Sequence, residues 1–139
     1  MKKILQILSL FSCYLLYSQA NLPATENYIY SKNCLNDDCT RKTESVQYFD
    51  GLGRLKQNVM IAATPAGKDI VVPVEYDSYG RQVKNYLPIP QQSTQNGGIY
   101  TNPLSAATSI YGNEKIYSEK IPEASPLGRV TEQRNPGND

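Results

Sequence analysis

The sequence predicts an all-β fold, an antiparallel meander of short hairpins. Three observations carry that prediction. Tyrosine, a strong strand former, occurs 11 times in 139 residues while tryptophan is absent. Turn residues recur every 10 to 15 positions along residues 28–87. Between those turns, apolar and polar residues alternate with the period of two that a half-buried strand requires.

Residues 1–20 stand apart from that pattern. Lys2 and Lys3 precede an apolar run from Ile4 to Tyr17, and Ser18-Gln19-Ala20 closes it with small residues two apart. This is the layout of a cleaved secretory signal helix, and the run is shorter than the ~20 apolar residues of a membrane span. Cys13 leaves with the signal; Leu10-Phe11-Ser12-Cys13 is a poor lipidation site because the apolar run continues beyond it. Taking 20 residues from 139 leaves 119, enough for one small domain. Its 12 basic residues (14 less Lys2 and Lys3) face 13 acidic ones, a balance that points away from nucleic acid as a partner. No membrane span is expected after signal cleavage, and the expected location is periplasm, cell surface or medium.

Residues 21–42 read as an N-terminal hairpin, with Tyr28-Ile29-Tyr30 as a strand and Cys34 to Cys39 as its turn. In an oxidising compartment those two cysteines form a local disulfide or remain two free thiols. Zinc would need further ligands, and the chain has no histidine and no other cysteine once the signal is removed. Residues 43–87 read as the compact meander. Thr43 to Phe49 alternates, and Arg54 to Ala63 places Leu55, Val59 and Ile61 on one face, with Lys56 and Asn58 on the other. Thr64-Pro65-Ala66-Gly67 is a turn. Ile70 to Tyr76 follows, with Ile70, Val72, Val74 and Tyr76 on one side and Pro73 marking an edge strand. Arg81 to Leu87 is the last strand of the block. Residues 88–113 form a long polar loop without charge; Ile99, Tyr100, Leu104, Ile110 and Tyr111 suit an ordered belt on a β-surface, whereas the composition alone equally suits a flexible linker. Residues 114–139 hold a short strand, Glu114 to Ile121, and end in the turn chemistry Asn135-Pro136-Gly137-Asn138-Asp139, as a truncated chain would.

An internal repeat is the most informative feature. Phe49-Asp50-Gly51-Leu52-Gly53-Arg54 and Tyr76-Asp77-Ser78-Tyr79-Gly80-Arg81 share the pattern aromatic, Asp, any, large apolar, Gly, Arg, 27 residues apart. Pro126-Leu127-Gly128-Arg129 keeps the second half of it. Such a pattern makes a hairpin turn. The aspartate accepts from backbone N–H groups two residues on, the glycine takes a positive φ, and the arginine opens the return strand in reach of a turn aspartate. These are structural roles, preferred here to catalytic or calcium-binding carboxylates because too few oxygen ligands accompany them.

The two full copies resemble YD repeats, the strand-turn-strand units of RHS and teneurin-like shells. The wider stretch, from Val46-Gln47-Tyr48-Phe49-Asp50-Gly51-Leu52-Gly53-Arg54 to Ser125-Pro126-Leu127-Gly128-Arg129-Val130, resembles the N-terminal domain of unknown function of exported RHS/YD-repeat proteins of bacteroidete-type bacteria. Tyr86-Leu87-Pro88-Ile89-Pro90, Tyr117-Ser118-Glu119-Lys120 and Asn135-Pro136-Gly137 fit the same pattern, so the resemblance covers residues 26–139. It implies a cell-envelope protein whose shell continues for many hundreds of residues around a C-terminal toxin or effector. The pair Cys34 and Cys39 is peculiar to this chain and is not implied by the resemblance.

Enzymatic chemistry is not expected. Without histidine, Ser-His-Asp, Cys-His and His-metal arrangements are excluded. Asp50-Gly51-Leu52-Gly53-Arg54 precedes a strand, so it is no dinucleotide fingerprint. No cofactor or metal is expected. The expected role is a non-catalytic module that starts or caps an RHS/YD shell, whose remainder is its partner in cis or as a neighbour. The alternatives are a β-module that binds an envelope glycan or surface protein, and a gene remnant without function.

Overall fold

A computed structural model of the chain describes residues 22–125 and 127–137. The expected signal segment 1–20, Pro126 of the third repeat and the closing Asn138-Asp139 lie outside the described residues.

Among the described residues eight strands form two antiparallel sheets, with one short helical passage and no closed barrel, so the all-β expectation holds. The strands are β1 (Asn27–Cys34), β2 (Lys42–Phe49), β3 (Leu55–Ile61), β4 (Ile70–Pro73), β5 (Lys84–Tyr86), β6 (Ile89–Pro90), β7 (Tyr117–Pro122) and β8 (Val130–Arg134). The first sheet runs β1-β2-β3-β4-β6 and the second β5-β7-β8. Between β6 and β7 the chain makes a 3-10 turn (Pro103–Ala106) and a single helical turn, α1 (Thr108–Tyr111).

β1 and β2 pair over their full length, Asn27 opposite Phe49 and Cys34 opposite Lys42. The turn between them is closed by Leu35 N–H on the Arg41 carbonyl at 2.7 Å and by a Cys34–Cys39 disulfide with Cα atoms 4.7 Å apart. In β2 and β3 the alternation behaves as read. Val46, Tyr48 and Val59 are fully buried, Ile61 packs against them, and Gln57 on the same face is buried too.

β4 corrects the reading of residues 70–76. The buried positions are Val71 and Pro73, the opposite parity from Ile70, Val72, Val74 and Tyr76, and β4 lies inside the sheet between β3 and β6. Proline is tolerated there for a geometric reason. Val74 N–H bonds the Lys56 carbonyl at 2.8 Å, so strand alternation turns the Pro73 nitrogen toward β6. The β6 pairing covers only Ile70–Pro90 and Val71–Ile89 and has ended before Pro73, so no ladder bond is lost.

The single meander of 43–87 also divides. Its last strand, expected from Arg81 to Leu87, is β5 at Lys84–Tyr86, and it belongs to the second sheet. At the turn end the strip is nearly continuous: Val74 still pairs with β3, while Val83 accepts from Lys120 N–H of β7 at 2.8 Å. Away from the turn, β4 and β5 part, and the uncharged segment enters the wedge. Ile89, Tyr100, Ala106 and Ala107 from that segment are buried. The belt alternative is therefore the correct one. A sheet with one apolar face must be covered, and residues 85–113, without a charge among them, supply the cover. Tyr100 joins the core of Val46, Tyr48, Val59 and Val71; Ile89, Ala106 and Ala107 form a second core with Leu104, Tyr111 and Ile116. Glu114 to Ile121 shifts slightly to β7, and β8 is a strand the sequence did not announce.

Candidate functional site

The repeat positions converge at one end of the strip. In the first turn the Asp50 carboxylate accepts from Leu52 N–H and Arg54 N–H on Oδ1 at 2.9 Å each, and from Arg54 Nε on Oδ2 at 2.8 Å. Backbone bonds from Asp50 N–H to the Arg54 carbonyl and from Gly53 N–H to the Asp50 carbonyl close it. The second turn repeats each contact: Asp77 accepts from Tyr79 N–H, Arg81 N–H and Arg81 Nε, all at 2.9 Å. Gly53 and Gly80 sit at φ +77° and +75°, the left-handed region expected of them. The aromatics Phe49 and Tyr76 close the incoming arms, and the Tyr76 hydroxyl donates to the Leu55 carbonyl of the first hairpin at 3.1 Å.

Electrostatics follow from those contacts. The Arg54 backbone N–H, then the Arg54 side chain, hold the Asp50 carboxyl below the ordinary aspartate value; the Arg81 N–H and side chain do the same for Asp77. Both carboxylates are therefore spent on their own turns. Among the described residues no three His, Cys, Asp or Glu side chains converge as a metal site would need, and no helix is long and apolar enough to cross a membrane.

The third, partial copy also folds as a turn, by a different division of labour. Gly128 has φ +59°, and its N–H bonds the Ser125 carbonyl, as Gly53 bonds Asp50. Ser125 stands where the aspartate stands in the other copies. Its Oγ accepts from Leu127 N–H at 3.2 Å and donates to Glu123 Oε1 at 2.6 Å. Glu123 in turn lies 3.7 Å from Arg129 Nε. Two side chains, Ser125 and Glu123, thus replace one aspartate. The sequence signal was present in the Ser125-to-Gly128 spacing, which equals Asp50 to Gly53.

The three turns are stacked, each arginine lying on the next turn. The Arg54 guanidinium sits over the Tyr76 ring at 4.6 Å, and its Nη1 lies 3.2 Å from where a Cβ on Gly80 would stand. Arg81 meets the third turn through the glycine alone, its Nη1 3.1 Å from a Cβ on Gly128, while its guanidinium lies over Tyr79 of its own turn at 4.9 Å. The repeat glycines therefore do two things: they take the positive φ, and at Gly80 and Gly128 they leave room for the preceding arginine. The apolar tips Leu52, Tyr79 and Leu127 are exposed in all three turns.

A second constellation lies where the belt crosses the first sheet, and the sequence reading missed it. Asp69 is fully buried; its Oδ1 accepts from Ala62 N–H and Thr94 Oγ1, and its Oδ2 from Gln95 N–H and the Tyr100 hydroxyl, at 2.8 to 2.9 Å. Gln57 exchanges two bonds with the Tyr100 backbone, and Tyr48 donates to the Gly97 carbonyl at 2.6 Å. Gly97, at φ +88°, passes so close to the core that a Cβ there would lie 2.8 Å from Ile61 Cδ1. Burial first, then the Asp69 carboxylate, push the Tyr100 phenol above its usual range. This node fastens the belt; every polar group in it points at another part of the chain.

Residues 19–139 match a family described as a domain of unknown function (DUF6443). No curated protein and no solved structure matches the chain.

Proposed function

We propose that this chain, which belongs to the DUF6443 family, is a non-catalytic exported structural module that starts or caps a β-shell of RHS/YD-type repeats. One observation carries the reading: the arginine of each repeat turn is seated on the glycine of the next, twice in succession. A repeat whose units recognise one another in this way is a means of propagating a sheet, and each turn carboxylate is bonded by three donors of its own loop. The absence of histidine and the commitment of every repeat aspartate to its own loop support a scaffold over an enzyme. Export is supported by the charge, apolar run and small-residue exit of residues 1–20. A glycan-binding surface would draw on exposed tyrosines, whereas Tyr48, Tyr86 and Tyr100 are buried.

The test is association. The exported chain is mixed with a separately produced RHS/YD-repeat polypeptide and followed by sedimentation velocity. A complex, with new amide protection along the strip, is the expected result. A chain that stays monomeric, fully folded and indifferent to that polypeptide would sink the reading. A chain whose residues 43–87 exchange their amides without protection would favour the remnant.

A further inference from the structure

We infer that the β8 edge and Arg129 form a docking surface for one further strand-turn unit, a β-strand leading into an aromatic-Asp-x-apolar-Gly-Arg turn whose glycine seats on Arg129. The inference rests on the scaffold reading above and adds to it the edge, the residue and the chemistry of the partner.

Two occupied steps of the same stack define what the third would hold. Arg54 and Arg81 are each covered by the following turn, and their side chains are 38% and 36% exposed. Arg129 occupies the same place in the third turn, and its side chain is 73% exposed, with its Nε 3.7 Å from Glu123. The first two arginines are each held by the aspartate of their own turn at 2.8 to 2.9 Å and covered by the next turn; among the described residues Arg129 has neither a close aspartate nor a covering turn. β8 is the last strand of the second sheet, pairs only with β7 among the described residues, and is exposed along its whole length, Val130 included. An open ladder edge beside an arginine without its covering turn is a template for a strand that brings such a turn. The opposite end is different: β1 is also an edge, yet the turn at its end is the cysteine-closed loop, which carries no arginine-glycine step.

Glycine suits the seat because it takes the positive φ and adds no Cβ against the guanidinium. At Gly80 and Gly128 a Cβ would stand 3.2 and 3.1 Å from the guanidinium of the preceding turn, closer than ordinary van der Waals contact. An aromatic four residues before that glycine adds a ring face, as Tyr76 does for Arg54 at 4.6 Å. The planar guanidinium suits both contacts, and a lysine would lose the stacked geometry.

The probe is a synthetic peptide copying residues 70–87, which holds the complete second turn. It is titrated into the isotope-labelled full chain and followed by amide chemical shifts. Shifts confined to residues 127–134, with at least a tenfold weaker affinity for Arg129→Ala and for a probe carrying valine in place of Gly80, are expected. Arg129→Lys should weaken binding nearly as much as Arg129→Ala. Arg129 is exposed, so these variants keep the fold, and the unperturbed shifts of β2 and β3 verify it. Binding at the β1 edge, or binding at β8 that neither the Arg129 variants nor the valine probe weakens, overturns the inference while leaving the scaffold reading in place. Failure of the probe to bind overturns it as well, and the scaffold reading is then decided separately by the sedimentation experiment.

Discussion

Asp50 and Asp69 are both aspartates that gather several hydrogen bonds, and they hold the molecule in opposite ways. Asp50 takes its donors from residues two and four positions along the chain, at the surface, in a pattern that Asp77 reproduces contact for contact. Asp69 is fully buried and takes donors from Ala62, Thr94, Gln95 and Tyr100, three of them more than twenty residues away. Local loops cost little entropy to close, so the turn is available early and cheaply. The belt node closes a long loop, which only the completed core repays. The turn stack links successive hairpins along the two sheets; the belt node holds the covered face together.

That difference predicts unequal sensitivity, and the largest effect belongs to the node. Asp69→Ala leaves the Ala62 and Gln95 N–H groups and the Thr94 hydroxyl without their acceptor, and the Tyr100 phenol with only the Ser93 carbonyl at 3.1 Å. Each buried donor left unpaired costs about 1–3 kcal/mol, so the loss exceeds that of any single bond in the turns. Denaturant unfolding of the chain should show that loss as a cooperative shift of the midpoint. Asp50→Ala should instead shift the midpoint far less and deprotect mainly the amides of Leu52 and Arg54. Equal losses for the two variants would erase the distinction.

Gly97→Val strikes the same region through packing. Its Cβ would stand 2.8 Å from Ile61 Cδ1 and 3.0 Å from Val46 Cγ2, at a φ that a branched residue avoids. Strain of that kind is worth about 2–3 kcal/mol. The belt should then lift locally, with the Tyr48 hydroxyl losing its bond to the Gly97 carbonyl and Tyr48 and Tyr100 becoming more exposed to solvent in fluorescence quenching. An unchanged quenching profile would show that the belt is fastened elsewhere.

Within the turn stack, glycines that serve one role and two roles should separate. Gly53→Ala meets open space and costs only the positive φ, about 1 kcal/mol. Gly80→Ala carries the same backbone cost and also displaces Arg54 from its seat against Tyr76, which adds about 0.5–1 kcal/mol. The measurement is the difference between the two variants in thermal unfolding. If Gly53→Ala costs as much as Gly80→Ala, the arginine-on-glycine contact contributes nothing to stability.

The same contrast explains what could be read before the fold was known. The turn at residues 49–54 was legible because its donors, acceptor and positive-φ position all fall within six consecutive residues, and a second copy confirmed the spacing. The strand faces around Val46, Tyr48 and Val59 were legible for the same local reason. Asp69 was not, since nothing beside it in sequence signals that Thr94 and Tyr100 will arrive. Nor was the parity of β4: Ile70, Val72 and Val74 outnumber Val71 as large apolar residues, and the choice of face is made by β6 and the belt. The third turn was half legible. Its glycine and arginine were found, whereas Glu123 and Ser125 were missed because they share a task the pattern assigns to one aspartate. The stacking of arginine on glycine connects residues 26 and 47 positions apart, which only the folded chain brings together.

The smallest predicted effect is the dependence of the turn stack on pH, and its sign is fixed. Asp50 and Asp77 titrate below the ordinary aspartate value of 3.8, chiefly because the Arg54 and Arg81 backbone N–H groups bond the ionised form. A group whose folded value is depressed stabilises the fold fully above its unfolded value, and that contribution is lost as pH falls through the folded one. The two turns should therefore be indifferent to pH from about 5 upward and loosen only below about 4. Both groups are partly buried at the surface and bonded within their own loops, so the change should be slight and local: faster amide exchange at Leu52, Arg54, Tyr79 and Arg81, corrected for intrinsic rates, with β2 and β3 unaffected. Asp50→Asn removes the titrating group from the first turn alone, and exchange there should then vary no further between pH 5 and pH 3, while the second turn keeps its response. Because Arg54 reaches Gly80, a residual pH response at Leu52 in that variant would mean that protonation of Asp77 is felt across the step between turns. A flat profile would mean that each aspartate governs only its own loop, leaving the arginine contact as the sole link along the stack.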